Sequence, residues 1–121
     1  CDGSPFGGTA WAVPGRIECE NYDIGGAGIA YWDSTPGNQG GAYRTDDVDV
    51  EVSTESGYDV CNTAAGEVIE FAIQVAETRS YALQIRVASD NSNGQFHLEV
   101  DYTRVLPVST VVSTGGRQNW V

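Results

Sequence analysis

The sequence predicts an all-β fold, a β-sandwich of the jelly-roll type, and three observations predict it. Apolar and polar residues alternate in short segments along the chain, while the helical spacing of apolar residues does not recur. Turn-forming stretches separate those segments: "DIGGAG", "STPGNQGGA", "STESG", "DNSNG" and "STGGR". The 15 glycines give such turns the backbone freedom they need. Evenly spaced short strands with turns of this kind form an antiparallel sandwich. At 121 residues and 40% hydrophobic content, the chain is expected to be one domain with enough apolar side chains for a core.

The opening "CDGSPFGGTAWAVPG" reads as a linker or an extended lead-in strand over residues 1–14, with the sandwich over 15–121. Arg16–Asn21 is the first expected strand. In it Ile17 and Cys19 alternate with Glu18 and Glu20, which gives one apolar and one doubly acidic face. The stretch "AYWDSTPGNQGG" reads as an exposed loop carrying Trp32, bracketed by Tyr31 and Tyr43, one of which belongs in the core. Asp47–Val52 places Asp47, Asp49 and Glu51 on one face, and a solvated face is its default reading. Glu67–Val75, Tyr81–Ala88, Phe96–Tyr102 and Val105–Ser113 alternate in part, with β-branched and aromatic residues. In Tyr81–Ala88, for instance, Tyr81, Leu83, Ile85 and Val87 share one face. Trp120 is read as a core residue.

Charge and residue types exclude several functions. Acidic residues number 17 against 6 basic ones, all arginine, and the net charge of -11 repels phosphate backbones and anionic membranes. A neutral polymer or a cation suits this surface better. No apolar run approaches the length of a membrane span. Three cysteines without a C-x-x-C pair, and a single histidine, do not make a zinc site. His97 falls on the polar face of "QFHLEVDY" with Glu99 and Asp101, and the lack of lysine removes Schiff-base chemistry.

The two carboxylates of "RIECENYD" leave three readings open. They are the acid and base of a glycosidase, the oxygen ligands of a cation, or a solvated face.

Further along, "IECENYD", "GGAYRTDDVDVE", "GYDVCNTAAGEVIEF", "YALQIRVAS", "FHLEVD" and "TGGRQNW" follow the order and spacing of family 6 carbohydrate-binding modules. The chain resembles that family from Ile17 to Trp120. The resemblance implies a non-catalytic β-sandwich of a secreted or extracellular polysaccharide-degrading enzyme, covalently linked to a glycoside hydrolase. The ligand it implies is a β-glucan or a related polysaccharide, with no nucleic-acid or membrane partner. It also implies a structural calcium held by Glu18 and Glu20, and it brings Cys19 and Cys61 close enough for a disulfide in an oxidising compartment. The family's final strand would lie beyond Val121.

Sugar binding in the resembling family depends on aromatic platforms, flat rings that stack on the C–H face of a pyranose. At the matching positions this chain carries Asn62, Arg117 and Val68 instead. The expected site therefore combines Trp32 and Tyr58 as substitute platforms with Glu51, Asn62 and Arg117 around them. Arg117 would also suit a uronic acid through its planar guanidinium. The competing reading is a degenerate extracellular sandwich that serves a structural or protein-interaction role.

Overall fold

The computed structural model describes residues 2–121, and Cys1 lies outside the described residues. It is all-β, as the sequence predicts: ten short strands and two 3-10 turns, with no α-helix among the described residues. Among the described residues no helix is long and apolar enough to cross a membrane. The chain divides into two compact units, one running to Tyr81 and the other spanning Ala82–Val121.

The first unit holds β1 (Trp11–Val13), β2 (Tyr31–Trp32), β3 (Val50–Val52), β4 (Tyr58–Val60), β5 (Val68–Ile69) and β6 (Ile73–Val75). The lead-in is part of this unit, because β1 pairs in parallel with β6 and Ser4 bridges Ile24. β2 pairs with β5 and β3 with β4, both antiparallel. The core consists of Tyr22, Ala30, Tyr31, Val48 and Val50, with Val60, Ile69 and Phe71 packed against it. Tyr31 is thus the core member of the tyrosine pair, its ring edge-on to Tyr22 at 5.9 Å, while Tyr43 is 45% exposed.

The segment expected as a first strand is different. Glu18 is extended, but the amide of Asn21 donates to the Glu18 carbonyl at 3.0 Å and closes a 3-10 turn over Cys19–Asn21. Period-2 alternation ends there, so Cys19 is exposed and Glu20 half-buried, the reverse of the strand reading. Trp32, expected in a loop, ends strand β2.

The acidic run also departs from a solvated face. Asp49 is buried and accepts the amide of Gln39 at 2.6 Å; Asp47 accepts the amide of Gly37 at 2.8 Å and the hydroxyl of Tyr31 at 3.1 Å. These carboxylates fasten the 37–42 loop to the strand that follows it, as buried acids must when they have to find donors. Asn38 completes the junction. Its amide nitrogen donates to the carbonyls of Ala42 and Arg44, and its oxygen accepts from Gly41 and Val50. Gly40 is required here, since a Cβ would sit 2.3 Å from the Val50 carbonyl oxygen.

The second unit holds β7 (Gly94–Phe96), β8 (Glu99–Val100), β9 (Thr103–Arg104) and β10 (Ser109–Val111), paired antiparallel as β7 with β10 and β8 with β9. Tyr81–Ala88 forms no named strand, although Val87 and Val121 exchange both backbone hydrogen bonds at 2.9 Å. Its apolar face is present all the same: Leu83, Ile85 and Val87 line an open depression with Phe96 and Val121. His97 is exposed and its Nε2 lies 2.9 Å from Glu99, a polar-face pair as expected.

Candidate functional site

Three of the expected site residues share one hairpin. Glu51 lies in β3, Tyr58 in β4, and Asn62 just past β4 in a left-handed conformation, with φ of 50°. Asparagine tolerates that region better than most residues. Strand alternation separates them, however. Val52 stands opposite Tyr58, and Glu51 opposite Asp59, so within the ladder Glu51 and Tyr58 occupy opposite faces. Trp32 is on another pair of strands, and Arg117 belongs to the second unit, in the turn that follows Gly115 and Gly116.

Trp32 stands directly across from Val68 in the β2–β5 ladder. Directly opposed residues share a face. Trp32 is 57% exposed and Val68 51%, which leaves an open apolar face with an indole on it. Beside it, the Ser34 hydroxyl and amide donate to Glu67 Oε1 at 2.5 and 3.1 Å, while Glu67 Oε2 accepts the amide of Ala64. The loop after Trp32 is thereby tied to the loop before β5, and the face is fixed at that end of the ladder.

A second aromatic group lies on the hairpin. The rings of Tyr43 and Tyr58 stack at 4.4 Å between centroids and 17° between planes. Phe6 is tilted against Tyr43 at 5.8 Å, and the Tyr43 hydroxyl donates to Asn21 Oδ1 at 2.6 Å. The sequence marked Tyr58 but not Tyr43 or Asn21. No local pattern joins residues 15 to 37 positions apart, so only the fold could bring them together.

Under this group lies Arg44, buried at 8% exposure. Its guanidinium donates to the carbonyls of Glu20, Tyr22 and Asp23 at 3.1, 2.8 and 3.2 Å, and pairs with Asp46 at 3.3 Å. Asp46 also accepts the Tyr22 hydroxyl. Burial, together with that donated hydrogen bond, pushes the Tyr22 phenol well above its ordinary value. Four acceptors around one guanidinium fix the path of the 20–23 backbone.

The calcium donors expected from the sequence are Glu18 and Glu20. Glu18 pairs with Arg16 at 2.8 Å, and the Glu20 carbonyl is taken by Arg44. Glu20 is pushed above the usual carboxylate range by desolvation and further by the charges of Glu18 and Asp59. Among the described residues no three His, Cys, Asp or Glu side chains gather as a metal cluster. The side-chain set is thus short of the six to eight oxygens that calcium takes.

The expected disulfide is not formed, because Cys19 and Cys61 both stand as thiols. Cys19 turns outward on the 3-10 turn, and the Cys61 sulfur is directed at Gly40, 3.0 Å from where a Cβ there would be. Local desolvation at the thiol, then the neighbouring Glu20 and Glu18, push the Cys19 thiol up and keep it protonated.

Among the described residues the arrangement offers exposed rings and carboxylates. A family model described as carbohydrate binding module (family 35) matches residues 44–121. No curated protein matches the chain.

Proposed function

Because the chain belongs to carbohydrate-binding module family 35, we propose that it is the module of a secreted polysaccharide-degrading enzyme and binds a β-glucan or a related polysaccharide. Its class is the carbohydrate-binding module expected from the sequence, a non-catalytic binding domain. Its family is 35, which corrects the resemblance to family 6. A module of this kind serves a linked glycoside hydrolase by raising the enzyme's concentration at its substrate.

The observation that carries the ligand is the exposed Trp32 on one face with Val68. Directly across the ladder from Val68, Trp32 sets an aromatic ring on that open face. A single indole on an open surface supports weak binding, in the millimolar to high-micromolar range, or about 4–6 kcal/mol. On the β3–β4 hairpin Tyr58 is a proposed second ring, with Asn62 and Glu51 as proposed polar contacts of that hairpin, and Arg117 is a proposed polar contact of the second unit. Affinity electrophoresis against laminarin, mixed-linkage glucan, xylan, agarose and alginate tests the reading. Retardation by a glucan is the expected result, and retardation by alginate alone would point to a uronic acid at Arg117. If no polysaccharide retards the protein, the domain is a structural or protein-interaction sandwich.

A structural calcium at Glu18 and Glu20 is a separate proposal. It is supported by the mutual repulsion of Glu20, Glu18 and Asp59, which a divalent ion would relieve. Its remaining ligands would be backbone carbonyls and water.

A further inference from the structure

Tyr43 sits in the left-handed region at φ of 65°, a conformation that costs a non-glycine residue of order 1–3 kcal/mol. Three contacts hold it there: the stack on Tyr58, the tilt of Phe6, and the hydrogen bond to Asn21. Arg44, the next residue, locks the backbone of the same turn from below, with its guanidinium 4.5 Å from the Phe6 ring centre. A strained tyrosine held this firmly is preorganised, and the ring beside it is open. Tyr58 is 36% exposed.

A carboxylate lies near the start of the strand that carries this ring. The Glu20 Oε1 atom lies 3.9 Å from where a side chain at Gly57 would begin, and Gly57 directly precedes Tyr58. The turn carrying Glu20 and Asn21 packs on β4. Over the whole chain, 17 acids face 6 arginines. An aromatic ring face and a carboxylate each attract a cation. A neutral glucan uses the ring alone, whereas a sugar carrying an ammonium group uses both.

We propose that Tyr58, backed by Tyr43 and flanked by Glu20, is a binding site for a cationic amino sugar, namely the de-N-acetylated glucosamine units of a polysaccharide. The pyranose stacks on Tyr58, and its ammonium group is taken by Glu20. This site is distinct from the Trp32 face, although it rests on the reading of the chain as a carbohydrate-binding module.

Calorimetry with glucosamine oligomers tests it, in mildly acidic buffer where the amine is charged and with EDTA present so that no metal competes for Glu20. Oligomers of N-acetylglucosamine and of glucose, and a short oligolysine, serve as comparisons. The expected result is that the glucosamine oligomer binds at least about tenfold tighter than either neutral oligomer and than oligolysine. Glu20→Gln should remove that preference, Tyr58→Ala should lower the affinity by a similar factor, and Tyr58→Phe should keep it. Circular dichroism establishes that each variant is folded. Equal binding of oligolysine, or an unchanged preference in folded Glu20→Gln, would overturn the site as mere charge attraction. Binding of the glucose oligomer without any preference for the amine overturns this inference and leaves the module reading intact. Failure to bind any saccharide overturns both.

Discussion

The guanidinium carbon of Arg44 lies 3.7 Å from the ring centre of Tyr22, and both residues are buried. The pair joins cation–π contact to hydrogen bonding, because the same guanidinium reaches the Tyr22 carbonyl, and Asp46 accepts from both side chains. Arg44→Ala should therefore strand three carbonyls and a carboxylate and destabilise the fold by about 3 kcal/mol or more. Arg44→Lys should recover only part of this, since an ammonium cannot reproduce the planar fork. Urea denaturation of the three proteins checks the ranking; equal midpoints would refute it.

Trp32 is exposed, so removing it should leave stability within about 0.5 kcal/mol of wild type. Polysaccharide retention should nevertheless be lost in Trp32→Ala. Val68→Trp adds a second ring directly opposite the first and should strengthen retention. Undiminished retention in Trp32→Ala would move the platform elsewhere.

Glu20 is raised by desolvation and by its acidic neighbours, so its ionisation opposes folding. The sign follows. Below its unfolded value near 4.5 the carboxyl is protonated in both states and there is no cost. As pH rises through the folded value, the cost develops and then levels off. In EDTA, Glu20→Gln should consequently stabilise the protein at neutral pH, by at most about 1 kcal/mol because the group is partly solvated. The gain should shrink as the pH falls towards that unfolded value. Melting curves at several pH values would show a constant gap if this assignment were wrong.

If calcium binds at Glu18 and Glu20, it binds the native state and stabilises it by mass action. EDTA should lower the melting temperature and added calcium should restore it, with both effects erased in Glu20→Ala. A melting temperature indifferent to both reagents would remove calcium from the account.

The sequence by itself determined the class of the fold and the kind of molecule. Alternating segments such as Ile73–Val75, and turn residues at each gap, exclude helices because period 2 and period 3.6 cannot share a face. The absence of lysine, of a zinc-type Cys/His cluster and of a long apolar run was equally plain in the residue types. The turn-rich surroundings of Trp32 and Tyr58 marked both as candidate platform rings, and the structure leaves both open to solvent, Trp32 at the end of a strand rather than in a loop. Which residues meet was decided only by the tertiary structure. In "RIECEN" a single hydrogen bond from Asn21 to Glu18 turned a strand-like pattern into a 3-10 turn and moved Cys19 and Glu20 to unexpected sides. In "DDVDVE" the acids went inward, because the 37–42 loop brought amides to Asp47 and Asp49 that sequence position alone does not supply. The Tyr43–Tyr58 stack and the Arg44 junction join segments far apart in the chain. Local periodicity registers only which face a residue takes; it carries no information on which distant segment will cover that face.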